Sequence, residues 1–215
     1  MQVATKVPSD LILESSRLIL KPITIADGEN LKNLFMEEEA MKDLPWLSKL
    51  PKGWTQAEIE ERIAQHIELQ EKNKKMNFHV FLKEGIEGNK EPVFIGCGGL
   101  ATVDLGSHNG TVGIILHSKY QRGGYGTEVL FLVLKYSFEV MNLHRLAFET
   151  SPGNAGMRGW LENVALSRLE SIIEELIFYN DSYYSLAVYP LFRRDWESKT
   201  KPNILKRISK HANIE

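Results

Sequence analysis

The chain has a single cysteine in 215 residues, Cys97, so no internal disulfide is available to it. Its setting, Phe94-Ile95-Gly96-Cys97-Gly98-Gly99-Leu100, reads as a strand, and no cation flanks it in sequence. A buried structural thiol is the reading that fits, rather than a reactive one. Long apolar runs are also missing, since none approaches the ~20 residues that cross a bilayer. Met1 to Asp10 lacks both the apolar core of a signal peptide and the arginine-rich amphipathic pattern of a transit peptide. The expected location is therefore cytoplasmic. Charge of one sign is scarce too: 26 Lys and Arg against 28 Asp and Glu leave a formal net charge of −2 and a pI near 6.3. Nothing in that balance calls for a nucleic acid or another polyanion as partner, or for a membrane surface. The run Glu37-Glu38-Glu39 reads as a solvated face, because a metal site would need further ligands converging from elsewhere, and no metal is expected. There is no internal repeat and no low-complexity tract.

What is present is the composition of an ordinary globular domain, 43% hydrophobic and 25% charged, long enough to bury a full core. A single domain over 1–215 is expected. Residues 199–215 carry Lys201, Lys206, Arg207 and Lys210 around Ile204, Leu205 and Ile208, and are expected as a frayed, flexible tail, with a short basic amphipathic helix as the alternative.

The most informative stretch is Gln121-Arg122-Gly123-Gly124-Tyr125-Gly126-Thr127, between the apolar run Val112 to Leu116 and the amphipathic run Glu128 to Val140. It reads as a strand, a glycine turn, and a helix that starts inside the glycines. Glycine lets a ligand approach the main chain without meeting a Cβ. A helix start leaves backbone N–H groups unpaired at the positive end of the macrodipole, a place suited to phosphate. No Lys-Ser or Lys-Thr follows, which excludes a Walker loop, and the glycine spacing excludes a dinucleotide fingerprint. The pattern that fits is Gln/Arg-x-x-Gly-x-Gly, with Gln121, Gly124 and Gly126 at the fixed places.

Around it, periodicity sets out the other elements. A first strand lies at Arg17 to Pro22. Thr24 and Asp27 form a variant capping box before a helix to about Met41, and Thr55 with Glu58 a regular one before a helix whose stripe is Ile59, Ile63 and Ile67. Between these helices Trp46 and Trp54 sit in a Pro/Gly-rich loop, Lys42 to Trp54, which is either a lid over a pocket or a plug on the core. Strands follow at Phe78 to Leu82, Pro92 to Val103 and Thr111 to Leu116. The glycine turn leads to a helix burying Val129, Leu130, Val133, Leu134 and Phe138. Then come a strand at Arg145 to Thr150, a short helix from Asn154, and strands near Leu169 to Tyr179 and Tyr183 to Leu191. The order β-α-α-β-β-β-α-β-α-β-β implies an α/β (α+β) fold with a mixed sheet of about seven strands and helices on its faces.

Order, glycine turn, following helix and Asn154 together resemble the GCN5-related N-acetyltransferases. The likeness runs from Leu18 to Trp196 and is strongest to the branch of the ribosomal-protein N-terminal acetyltransferases, through Ser118 to Leu130, Tyr136-Ser137-Phe138, Leu143-His144-Arg145-Leu146 and Asp195-Trp196. The resemblance implies a mostly antiparallel sheet with a central splay, and acetyl-CoA as acyl donor. It places the pantetheine along Ile114, Ile115 and Leu116, the pyrophosphate on the N–H groups of Arg122, Gly123, Gly124, Tyr125, Gly126 and Thr127, with Gln121 in the same cofactor-binding loop, and the cofactor's amide-rich arm near Asn154. A bulge at Gly113 is expected to help the splay. The implied reaction is direct transfer to a neutral amine, which needs a base. Glu149, on the strand beside the splay, is the preferred base and His117 the second choice. Tyr183, Tyr184 and Tyr189 are further candidates from the last strands. The family's frequent serine and tyrosine after the Asn are replaced by Met157 and Leu161, and its Gly-Phe by Ala165-Leu166, so no general acid is assigned. That departure keeps open a non-catalytic acyl-CoA-binding module. The acceptor, a small amine or a peptide N-terminus, and the oligomeric state are not legible.

Overall fold

Alternation along Met76, Phe78, Val80 and Leu82 turns four fully buried side chains to one face of a strand. The intervening residues go to the other face, as a period of two requires. A computed structural model describes residues 7–212 and places this strand, β3 (Met76–Leu82), inside a single eight-stranded sheet. Residues 1–6 of the amino-terminal stretch and 213–215 of the expected tail lie outside the described residues. The order is β1 (Leu13–Glu14), β2 (Leu18–Pro22), β3, β4 (Val93–Asp104), β5 (Asn109–Leu116), β6 (Arg145–Thr150), β8 (Ser182–Phe192), β7 (Ser171–Tyr179). The two-residue β1, with no sequence signal of its own, adds one strand to the seven expected.

Every neighbouring pair is antiparallel except β5 with β6. That parallel ladder runs from Asn109↔Arg145 to Val112↔Phe148 and stops, while β5 stays paired to β4 as far as Gly96↔Leu116. Gly113 to Leu116 therefore border an opening on the β6 side, the splay. The expected bulge at Gly113 is absent: Gly113 pairs regularly with Gly99, and the irregularity lies on β4 between Leu100 and Thr102. The longer strand takes up the extra residue and the added twist.

One face of the sheet packs on α5 (Tyr125–Lys135), whose Val129, Leu130, Val133 and Leu134 are buried with the β3 residues above, Leu100 and Val112. The other face packs on α1 (Gly28–Met36) and α4 (Gln56–Glu71) through Leu31, Leu34, Phe35, Ile59 and Ile63. Each such side chain contributes roughly 1.5–3 kcal/mol on burial. The Thr55 and Glu58 capping box of α4 is complete, with both reciprocal hydrogen bonds in place. At α1 the box is altered, because Thr24 donates to the Asp27 carboxylate (2.7 Å) and a 3₁₀ turn precedes the helix.

The first helix does not reach Met41 unbroken. Backbone at Glu37 leaves the helical region (φ −80°, ψ 105°) and a single turn, α2 (Glu38–Met41), follows. Between α2 and α4, α3 (Pro45–Ser48) occupies part of the expected loop. After α5 a π-turn at Tyr136–Val140 completes the expected length. Next, α6 (Ala155–Asn163) follows β6.

The tail departs from expectation. A short α7 (Arg193–Asp195) and a π-turn lead into α8 (Lys201–Ala212). Ile204 is fully buried, Lys201 pairs with Glu139 (2.8 Å), and Asn203 donates to the carbonyl of Val164 (2.9 Å). An apolar seat on the core turns a basic amphipathic segment into docked structure rather than a solvated tail. Among the described residues no helix is long and apolar enough to cross a membrane.

Candidate active site

The glycine turn adopts backbone that only its sequence allows cheaply. Gly124 has φ +81° and caps α5, and Arg122 also has positive φ. Thr127 and Glu128 donate to the Gly124 carbonyl (3.0 and 3.2 Å), whereas the N–H groups of residues 122 to 126 have no partner in the chain among the described residues. Five amides at a helix start, all unspent, are the kind of group that can receive an anion.

Two anchors hold this loop. Gln121 donates through Nε2 to the Leu116 carbonyl (3.0 Å), tying the turn to the end of β5. Arg17 donates through Nε to Glu128 (2.7 Å) and through Nη2 to the Gly123 carbonyl (3.1 Å), with its guanidinium 4.2 Å from the centre of the Tyr125 ring. Ser15 donates its hydroxyl to the same Glu128 carboxylate (2.6 Å). The Glu128 side chain is 2% exposed, so removing its cation strands a buried charge. Arg17→Met is expected to destabilise the protein by about 3–5 kcal/mol, read by denaturant unfolding, and to weaken CoA binding through the loosened turn. Unchanged stability would remove this pair as the loop's anchor. Sequence reading passed over Arg17, and the only trace was a carboxylate on the helix face that is otherwise apolar.

Two hollows meet at the splay. A groove of about 600 Å³ follows the turn, lined by Gln121, Arg122, Gly124, Gly126 and Thr127, by Ile114, Ile115 and Leu116 of β5, and by Asn154. Lys42, Arg122 and Arg207 put cations on its walls, and Glu39 and Asp43 lie among them. Gly123 and Tyr125 do not line it. The Gly123 carbonyl receives Arg17, and the Tyr125 hydroxyl donates to Glu87 (2.6 Å). A cavity of about 370 Å³ lies on the α1/α4 face of the sheet and includes Glu149, Thr150, Cys97, Trp46 and Leu47. Leu44, Ile114, Ile115, Asn154 and Met157 border both.

Glu149 is exposed within this cavity, and its carboxylate has no hydrogen-bond partner among the described residues. His117 lines neither hollow. Its Nδ1 lies 2.5 Å from Glu37 Oε2, while Glu37 Oε1 accepts the Ser118 N–H (2.9 Å). Burial works to raise the Glu37 pKa, but hydrogen bonds from Ser118 and His117 outweigh it and leave the carboxyl lowered. This pairing accompanies the break in the helix at Glu37 and corrects one reading: Glu37 is not part of a solvated face. His117 is held by Glu37 and stands outside both hollows.

Asn154 accepts the Met157 N–H (3.0 Å) and donates to the Thr150 hydroxyl (3.0 Å), so it caps α6 and ties it to the end of β6. Leu161 is fully buried, while Met157 stands at the junction of the hollows. Tyr183, Tyr184 and Tyr189 line neither hollow; Tyr189 donates to Glu162 (2.6 Å). Cys97 does border the cavity and has Arg62 and Lys75 close enough to favour its thiolate, but burial dominates and pushes the thiol up to about 12. The thiol expected to be buried is half-buried and faces the cavity, with cations flanking it in space.

The two tryptophans divide the roles left open between them. Trp46 lines the cavity and meets Tyr184 (ring centres 5.5 Å apart). Trp54 packs on Phe35 and donates to the Leu47 carbonyl (2.6 Å), plugging the core beneath. Tyr179 donates to the Leu50 carbonyl (2.8 Å), which fastens the β7/β8 hairpin over the same loop.

The family model described as "Acetyltransferase (GNAT) domain" matches residues 17–166. A curated relative, an uncharacterised N-acetyltransferase YnaD of Bacillus subtilis, is 25% identical over 43% of this chain and 54% of its own length, so the match spans about half of that relative. Among solved structures, a GCN5-related N-acetyltransferase from Brucella melitensis superposes with a TM-score of 0.73 at 21% identity, covering 91% of this chain and 85% of that one. The ribosomal L7/L12 alpha-N-protein acetyltransferase RimL, in complex with coenzyme A, gives 0.72 at 15% identity, covering 85% and 98%. Both likenesses concern the fold.

Proposed function

Because the chain belongs to the GNAT acetyltransferase family, we propose that it transfers acetyl from acetyl-CoA directly to a primary amine, on a small molecule or a protein N-terminus. The observation that carries this is the end of the β5/β6 ladder at Val112↔Phe148, at the place where groove and cavity meet. Residues present on both sides fit the donor. The unspent amides of 122 to 126, with Arg122, Lys42 and Arg207 nearby, suit a pyrophosphate and a further phosphate. The unpaired edge of β5 suits the amides of a pantetheine arm laid down as an added strand. Acetyl-CoA supplies an activated thioester, which on this path reaches the junction beside Asn154 and Met157.

Only a neutral amine attacks a thioester, so a proton must leave it. Glu149 is the carboxylate in the acceptor cavity that has no other partner, and it takes that proton directly or through one water. No tyrosine lines either hollow, so the leaving thiolate is met by water and by backbone N–H groups, with much of the acceleration supplied by positioning the two reactants.

A second reading rests on the same junction. Buried Leu161 and apolar Met157 leave no side-chain acid there, which suits a module that binds acyl-CoA without turnover. Incubation with acetyl-CoA and a panel of primary amines, following free thiol, separates the two. Amine-dependent thiol release is expected; cofactor binding without release on any amine would replace the enzyme by the binding module.

A further inference from the structure

One wall of the acceptor cavity carries two cations, Arg62 and Lys75, beside His66, Asn77 and His79. Arg62 and His66 stand one turn apart on α4, and Lys75, Asn77 and His79 fall at alternate positions leading into and along β3. All five line the cavity, brought together by a helical period on one element and a strand period on the other. His66 lies 3.2 Å from Lys75 Nζ through Nε2 and 3.1 Å from Asn77 Nδ2 through Nδ1.

The wall lacks counter-charge. Arg62 makes no hydrogen bond or ion pair among the described residues; its Nε is buried and unpartnered, and its guanidinium carbon lies 5.5 and 5.6 Å from the ring centres of Phe35 and Trp54. His79 is fully buried, with Nδ1 against Asp27 (3.2 Å) and Nε2 without a partner. Of the five wall residues Asp27 meets only His79, and it also accepts the Thr24 hydroxyl. Burial lowers the pKa of Arg62, Lys75 and His79, and that of His66 to about 3. Buried cations are ordinarily paired, because an unpaired one carries a large desolvation cost. Arg62 is half-buried, its Nε is stranded, and the described residues offer it no anion, which leaves the guanidinium open to an anionic ligand in the cavity.

Resting on the acetyltransferase reading, we propose that the acceptor is a small amine that also carries an anionic group, a carboxylate or a phosphate monoester. Arg62 and Lys75 receive the anion, and the amine lies toward Glu149, the acidic group of the same cavity. A volume of about 370 Å³, with Trp46 in its wall, is the size of a free metabolite's pocket. Arg is suited to this role because its planar fork matches both carboxylate and phosphate.

The test uses the full chain, acetyl-CoA and matched amines: β-alanine against propylamine, O-phosphoethanolamine against ethanolamine, and a neutral tripeptide. In each pair the acidic member is expected to show the higher kcat/KM, by about 30-fold or more. The β-alanine and O-phosphoethanolamine arms show which anion is used. Arg62→Met is expected to raise KM for the acidic member by a similar factor and close the gap within the pair, with the acetyl-CoA dissociation constant and the thermal midpoint undiminished. Lys75→Met repeats the test should Arg62→Met fold poorly. Preference for the neutral amine or the tripeptide, or a gap that survives both substitutions, overturns the inference and leaves the acetyltransferase reading standing. Failure to bind acetyl-CoA overturns that reading instead, and acetyl-CoA binding with no amine used overturns both.

Discussion

Gly124→Val is expected to weaken CoA binding by at least about 100-fold, as ~3 kcal/mol of lost phosphate contacts implies, while the protein stays folded. Gly124 sits at φ +81° as the cap of α5, a region a β-branched residue reaches only with strain of order 1–3 kcal/mol. Part of that strain is relieved by turning the peptide planes, and turning them re-aims the amides of 122 to 126. The new isopropyl group also stands where a pyrophosphate must come close to the backbone. Stability of a domain this size, typically about 5–15 kcal/mol, absorbs the strain, since α5 remains seated through Val129, Val133 and Leu134. Titration calorimetry with CoA, beside circular dichroism, checks both halves. Normal affinity in a folded variant would mean that the turn is not the phosphate cradle.

Glu149→Gln is expected to lower kcat by about 10²–10⁴-fold, the range attributed to a general base, with the acetyl-CoA dissociation constant unchanged. The carboxamide keeps the size of the side chain and loses the capacity to take a proton. No hydrogen bond among the described residues is broken, and Glu149 is exposed, so stability should not move. Steady-state thiol release with saturating acetyl-CoA reads the effect in kcat rather than in donor binding. An unaltered rate would place the base elsewhere or leave the proton to solvent.

What was legible in the chain follows the range of the interactions involved. The glycine turn, the buried face of α5, the Thr55 and Glu58 box and the Asn154 cap all depend on residues within a few positions of one another, and the structure contains each of them. The splay was legible only through resemblance, since no local pattern states where a parallel ladder ends. The break at Glu37 was not legible, because the partner of Glu37, His117, is 80 residues away. Neither was the Arg17 and Glu128 anchor, 111 residues apart in sequence. Residues 201–212 failed for a related reason: the segment is polar on its own and becomes a docked helix only through the seat for Ile204. The wall of Arg62, His66, Lys75, Asn77 and His79 was not legible because no local pattern joins a helix face beside the apolar stripe of α4 to alternate positions leading into and along β3; only the fold brings them together.

The central claim is that the groove at the glycine turn and the cavity holding Glu149 are two halves of one site, joined through the opening between β5 and β6. A crystal structure of the CoA complex tests it most directly. The account predicts the pyrophosphate on the amides of 122 to 126, the pantetheine along Ile114 to Leu116, and the sulfur at the junction beside Asn154 and Met157, facing Glu149. A CoA whose sulfur lies away from that junction, or whose pyrophosphate is held by other residues, would contradict it.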